Sequence, residues 1–559
     1  MEISTSYLTN NNRLTSYIKA KLSEALVQIP ILVLLCFLLF LLNLNGIDLW
    51  GSDEPRYAEI AREMVADGNW VVPHFNGKVY FNKPPLFFWF VGLFSLIGGE
   101  VTELTARLPA ALMGLGTALV VYFLGKRLVN QRVGFFAALM LATSPQFHKY
   151  ARLVRLDLPF TFFITLAMAS FFYGRTAVRQ KKWYFLAFWF FMGLATLLKG
   201  PLGIFLPLSV IFFYLLFNKE LKFFKQIQPL AGAIIFLFVV FAWFIPAHLS
   251  GGSEYTEGNT VRNGFLYLIN PWNHSETFYY YFPELLVGAA PWSLFLPSAL
   301  ILCFSQKHTE IRKRMLFPAF WLLVIFIIFT LGLSKRAGYL LPLYPAVAIL
   351  VAIFWDDFLN LLSLRRSRLM TIPVYVLIAS MILGTGLFPI LMYHKHNLNS
   401  YSFLIAFCML SLAIFFFVLF HKRKYNILLI SIIIAALIPE ILTDQIFLPR
   451  QNKYESEKPA CEKIASIVGT NGSWAVYKEF RNTYPFYVKN YPKRINNRED
   501  LAAFLGSSQQ VYCLIAKREY QELQKEEKIV VSPLCPITTN GKELLLVTNE
   551  NEIASLRSQ

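Results

Sequence analysis

Up to residue 446 the apolar positions of this chain neither alternate with polar ones nor recur at helical spacing; they run on, broken by short basic clusters. Since a membrane span needs roughly 20 apolar residues, fewer when aromatics anchor it, thirteen runs predict spanning helices. They cover residues 28–46, 105–125, 133–147, 158–174, 184–198, 202–217, 230–248, 285–304, 316–333, 338–355, 371–392, 402–420 and 426–446. A further run, Pro84 to Ile97, is short and prefaced by Pro84-Pro85, and it reads as a helix lying in the membrane interface. Beyond residue 446 the pattern changes. Short β-like runs, "WAVYK" (474–478), "VYCLIA" (511–516) and "ELLLVT" (543–548), alternate with helical stretches such as "REDLAAFL" and "REYQELQKEE", which predicts a small α/β domain.

The polar positions then assign sides. Basic clusters sit at Arg13/Lys19/Lys21, Lys126/Arg127/Arg132, Arg175/Arg179/Lys181/Lys182, Lys219/Lys222/Lys225, Lys307/Arg312/Lys313/Arg314, Arg365/Arg366/Arg368 and Lys422/Arg423/Lys424, in every second connection. By the positive-inside rule these face the cytoplasm. Counting residues 84–97 as a span would move every later cluster to the wrong side. The reading divides the chain into a cytoplasmic segment 1–27, a transmembrane module 28–446 with outer loops 47–104 and 249–284, and an exported α/β domain 447–559. The first run has no small-residue cleavage site behind it, so it is expected to stay as a helix.

Composition agrees. Of 559 residues, 56% are hydrophobic and only 15% charged, more apolar surface than a soluble core hides. The net charge of +18 is explained by the cytoplasmic clusters and calls for no nucleic acid. No Walker loop, dinucleotide fingerprint or zinc spacing is present, so nucleotide-driven chemistry has no support. Cys36, Cys303 and Cys408 fall in spans; Cys461, Cys513 and Cys535 share the exported domain, where at most one disulfide can form.

The candidate chemistry lies where spans meet the outer face. Asp53, Glu54 and Arg56 follow the first span directly, and Asn82-Lys83-Pro84-Pro85 close the same loop. "ARLVRLDLP" places Arg152, Arg155 and Asp157 at a second boundary, "LLKGP" places Lys199 at a third, and "LSKRAGYLLPLYP" adds Ser334, Lys335 and Tyr339 at a fourth. A lone lysine there also serves to snorkel or cap a helix, and Tyr339 to anchor the interface. Acidic residues lack the stem that reaches water, so Asp53 and Asp157 point to function.

With "DEPRYAEIAREMVADGNWVVPHFNGKVYFNKPPLFFW", "RLDLP", "KGP", "YYYFPELLVGAAPWSLFLP" and "SK" before "YLLPLYP", the chain from about Trp50 to Pro345 resembles the GT-C membrane glycosyltransferases of the lipid A aminoarabinose transferase (ArnT-type) branch, relatives of the protein O-mannosyltransferases. The resemblance implies a polytopic α-helical GT-C fold of about thirteen spans, interfacial juxtamembrane helices and a C-terminal periplasmic α/β domain, in the bacterial inner membrane. It implies inverting transfer of a sugar from polyprenyl (undecaprenyl) phosphate to a periplasmic acceptor. A lipid A phosphate receiving an aminoarabinose-like sugar is the first choice; a protein or other glycan acceptor, or a lipid flippase, is the alternative. It assigns Asp53 and Asp157 to catalysis, Arg56, Lys83 and Lys199 to the donor phosphate, and Glu54, Tyr57, Asn82, His274, Lys335 and Tyr339 to the substrate cavity. Membrane lipids are the expected surroundings, and the chain is expected to act as a monomer. One departure concerns metal. The family carries Glu before Lys-Pro-Pro, associated with zinc and a loop histidine; here Asn82 stands there, and an amide is a poor zinc ligand. No metal is therefore expected, a zinc site involving His274 being the alternative.

Overall fold

The computed structural model describes residues 25–257, 276–305, 309–361, 367–396, 400–525, 531–539 and 542–549. Every predicted run coincides with a helix or a helix pair, although not all of these helices are span-length. Eight helices among the described residues are long and apolar enough to cross a membrane; the pair Phe278–Gly288 and Trp292–Phe304, bent by 111°, makes a ninth if taken as one span. The other predicted spans fall on the shorter helices 26–41, 131–142 and 202–217 and on Lys181–Lys199. Leu86–Gly98, with 13 residues, is about 20 Å long against a hydrocarbon core of about 30 Å, which suits an interfacial helix rather than a span.

Burial sorts the long helices. Asp157–Thr176 and Ala337–Asn360 are 83% and 89% buried over their most apolar stretch, whereas Pro229–Gly252 and Ser402–His421 are each only 17% buried. The first two form the centre, and the second two turn residues such as Phe238, Leu404 and Phe407 outward, as lipid-facing helices must. Close packing at the centre uses small residues. A Cβ on Gly134 would lie 2.2 Å from the Tyr122 carbonyl oxygen, so the helices Glu103–Leu128 and Gln131–Ala142 meet backbone to backbone only because glycine stands there.

The first outer loop contains the helix Asp53–Asp67, the hairpin β1 (His74–Phe75) and β2 (Lys78–Val79), and the helix Leu86–Gly98. The hairpin turns on Asn76 and Gly77, both at positive φ (55° and 69°), the conformation that an Asn-Gly pair adopts at least cost.

The tail domain is a mixed sheet of β3 (Ser473–Tyr477), β4 (Lys493–Ile495), β5 (Val511–Ala516), β6 (Val531–Thr539) and β7 (Lys542–Asn549), in the order β4-β3-β5-β7-β6. β3 runs parallel to β4 and β5, while β7 runs antiparallel to β5 and β6. Strand alternation splits its apolar residues into two layers: Trp474, Val476 and Leu514 pack on one face, Ala475, Tyr477, Cys513 and Ile515 on the other. All six cysteines are free.

This domain docks on the first outer loop. The Asn452 side chain accepts from Asp48 N–H (3.1 Å) and donates to the Gly46 carbonyl (3.0 Å), Tyr487 OH accepts from Leu49 N–H (2.8 Å), and Asn482 donates to the Ser52 carbonyl (2.7 Å). Lys458 pairs with Glu103 at 2.8 Å. The backbone leading into Asp53 is thus held by the tail.

Candidate active site

Asp53 is the first residue of its helix, where a carboxylate meets the positive end of the helix dipole. It is 7% exposed and pays for burial with cations from three parts of the chain. Arg56, one turn on, binds Oδ1. Oδ2 takes Arg155, from the loop before Asp157, at 2.8 Å and Arg336, from the loop before Tyr339, at 3.6 Å.

Asp157 opens the next buried span. Its Oδ1 lies 2.5 Å from the ammonium of Lys199, the last residue of the Lys181–Lys199 helix. That ammonium sits over the rings of Phe160 (5.0 Å) and Tyr339 (5.1 Å), whose π faces favour a cation. Lys83 completes the group. Burial, and then the like charge of Lys199, lowers its ammonium to about 8; Arg336 acts in the same direction, Asp157 and Asp53 in the opposite one. No ion pair to Lys83 occurs among the described residues. Five cations, Arg56, Arg155, Arg336, Lys83 and Lys199, therefore face two carboxylates. The surplus positive charge is suited to a phosphate-bearing ligand.

Tyr57 and Tyr80 line the Arg56 side, with the guanidinium carbon 5.3 Å and 5.9 Å from their ring centres. Burial, followed by the charges of neighbouring groups, raises the Tyr57 hydroxyl well above its ordinary value, so it is a hydrogen-bond donor at neutral pH. The Asn82 side chain bonds the Tyr80 hydroxyl. Among the described residues no group of three or more His, Cys, Asp or Glu is placed to hold a metal. His274 lies outside the described residues.

Two residues expected in the cavity are elsewhere. Glu54 is 5% exposed and spends both oxygens on structure: Arg107 Nε and Nη2 donate at 3.1 and 3.2 Å, and Val154 N–H at 2.8 Å. Arg107 in turn donates to the carbonyls of Leu44, Ile47 and Asp48. Glu54 thus anchors the loop that carries Arg155, because a buried carboxylate is tolerated only when its hydrogen bonds are filled. Lys335, 3% exposed, donates to the carbonyls of Gly332 (2.6 Å) and Glu276 (3.2 Å), capping a helix end. Arg152 does not reach Asp157: it pairs with Asp444 at 3.0 Å, beside His148, whose Nε2 is 2.7 Å from the same carboxylate. Sequence reasoning did not name Arg336 as a site residue, and it placed Arg155 beside Asp157 without its partner Asp53. The available signal was their position, since both lie in outer connections already flagged by a motif.

Fold and site define a polytopic membrane protein whose polar cluster, rich in cations, lies at one end of a helical bundle beneath a docked α/β domain. Comparison with known proteins narrows the class. A family model described as dolichyl-phosphate-mannose-protein mannosyltransferase matches residues 82–245. An uncharacterized protein of Aquifex aeolicus is 33% identical over 61% of this chain and 65% of its own length. The undecaprenyl phosphate-alpha-4-amino-4-deoxy-L-arabinose arabinosyl transferase of Aeromonas salmonicida is 31% identical over 58% of this chain and 60% of its own length. The match therefore spans less than two thirds of these relatives. Among solved structures, ArnT from Cupriavidus metallidurans bound to undecaprenyl phosphate superposes with a TM-score of 0.78 at 20% identity, covering 95% of this chain and 99% of that one. The chain is similar to these transferases and shares the fold of the ArnT structure, the GT-C fold that the sequence resemblance implied.

Proposed function

We propose that the protein transfers a sugar from a polyprenyl-phosphate carrier to an acceptor at the outer face of the bacterial inner membrane, with inversion at the anomeric carbon. The observation that carries this reading is the cationic surplus around Asp53 and Asp157. The names of the relatives and of the solved structure, which concern undecaprenyl phosphate, support the same carrier.

In this reading the acceptor oxygen attacks the anomeric carbon from the face opposite the carrier. The bond between that carbon and the phosphate oxygen breaks, and its electron pair leaves with the polyprenyl phosphate. The leaving group gains charge as the bond breaks, so Lys83, Lys199 and Arg56 bind the transition state more tightly than the ground state. The Asp53 oxygens are occupied by guanidinium donors, so Asp53 serves as a fixed negative charge that sets Arg56, Arg155 and Arg336 and lies near the developing positive charge on the sugar. That placement favours an acceptor needing little deprotonation. A phosphate monoester is such an acceptor, being largely ionised near neutral pH. A lipid A phosphate receiving an aminoarabinose-like sugar is therefore the acceptor and donor pair proposed, with the tail domain in the periplasm.

Mass spectrometry of lipid A and total glycolipids from cells with and without the gene tests the acceptor. Loss of an amino-sugar substituent supports it. Unchanged lipid A with altered O-glycopeptides would transfer the reading to the protein-glycosylating relatives.

A further inference from the structure

Outside the reacting cluster, one buried carboxylate has no part in the mechanism above. Glu63, on the helix that begins with Asp53, is 1% exposed. Its Oε1 accepts from Asn76 N–H at 2.6 Å and its Oε2 from Gly77 N–H at 3.1 Å, the two residues of the hairpin turn. Consecutive N–H groups at positive φ form a concave donor pair that a carboxylate fills. The turn is held from its other side by the tail domain. The Asn76 amide donates to the Pro492 carbonyl at 3.1 Å, and the ring of Tyr491 lies over Gly77, 3.7 Å from where a Cβ would stand. The chain leaves this clamp through β2 and continues past Tyr80 to Asn82 and Lys83.

We infer that Glu63 is a positioning residue for the proposed transfer: by pinning the Asn76–Gly77 turn against Pro492 of the tail domain, it fixes the segment that delivers Lys83 to the donor phosphate. The helix carrying Asp53 and Arg56 and the segment carrying Lys83 are thereby set at one distance, and the tail domain acquires a role in the reaction without touching substrate. Burial, and then the charge of Glu59, raises the Glu63 carboxyl to about 7. The charged groups around it are Glu59 and Arg62 on its own helix, which pair with each other at 2.5 Å, and Tyr491 of the tail, with Asp67 further along the helix. The hairpin contributes His74, half-buried, and Lys78, exposed. Both turn bonds need an oxygen acceptor. Because burial raises this carboxyl, the clamped state binds the proton more tightly than an open one, so acid does not weaken the clamp.

The inference rests on the proposed transfer for its kinetic readout, and amide exchange tests it separately. In the full chain in detergent, Glu63→Gln should lower kcat/KM for the polyprenyl-phosphate sugar about 10-fold and speed hydrogen–deuterium exchange across residues 74–83. Glu63→Asp, which keeps both carboxylate oxygens as acceptors, should recover part of that loss and part of the protection. Asn76→Ala, which leaves Glu63 intact and cuts the bond to Pro492, should speed the same exchange, and it serves if Glu63→Gln fails to fold. Unchanged kcat/KM with unchanged exchange in Glu63→Gln would overturn the inference, as would unchanged exchange in Asn76→Ala. Faster exchange in variants of a protein that transfers no sugar would retain the clamp and reject the proposed function instead.

Discussion

Asp53 is the residue on which the cluster converges: it gathers Arg56, Arg155 and Arg336, and its loss removes the charge that sets them. Asp53→Asn should therefore lower turnover by roughly 100- to 1,000-fold, the usual loss when one preorganised electrostatic group is removed, while expression and donor-lipid binding persist. Turnover within a few-fold of the unaltered protein would remove Asp53 from the mechanism. Lys83 makes a second demand. Its ammonium, lowered to about 8, holds charge below that pH and loses it above, so kcat/KM for the donor should fall as pH rises through about 8. Lys83→Arg, charged at every accessible pH, should move that limb upward; a basic limb that stays in place would belong to another group. Asn82 makes the third. With an amide bonded to Tyr80 where relatives of the ArnT type carry a carboxylate, chelators should change activity little, and Asn82→Glu should raise the zinc retained on purification. Stoichiometric zinc in the unaltered protein, lost together with activity on chelation, would show that the outer loop supplies another ligand.

Between residue and fold stand the short elements that place these side chains, and here sequence and structure part in instructive ways. Apolar runs located the helices, since a bilayer forces backbone polar groups into helices whatever the side chains do. Asp53, Asp157 and Lys199 were legible because charge at an apolar boundary is costly and needs a reason. Their partners were not. Arg155 binds Asp53 across about a hundred residues of chain, and nothing in "RLDLP" tells a cation turned toward its own helix from one turned toward another. Glu54 shows the converse: adjacent to Asp53 and equally acidic, it points the other way round the helix and fastens Arg107 and Val154. In the tail, β3, β5 and β7 were visible as apolar strands, whereas β4 has three residues and β6 carries Pro533 and Pro536, which disguise it. The Glu54 anchor is itself testable. Arg107→Ala strands a buried carboxylate and should destabilise the protein by about 3–5 kcal/mol, read as a lower unfolding midpoint in detergent. An unchanged midpoint would mean that the loop before Asp157 is held by other contacts.

The whole molecule joins a helical bundle, lipid-facing at its rim and buried at its centre, to a tail domain that grips the loop leading into Asp53. The cluster lies where the two meet, so a lipid carrier in the bilayer and an acceptor above it could both reach the same atoms. That arrangement, with no nucleotide-binding feature in the chain, makes the carrier the central claim. The most direct measurement is product formation by the purified protein from a synthetic polyprenyl-phosphate sugar and lipid A, with ATP, nucleotide sugars and ion gradients excluded. Transfer should proceed under these conditions, invert the anomeric configuration, and fail when a nucleotide sugar replaces the lipid donor. Robust transfer from the nucleotide sugar with carrier lipid absent, or no transfer from any polyprenyl-phosphate sugar by a folded protein that moves the lipid across vesicles, would contradict it.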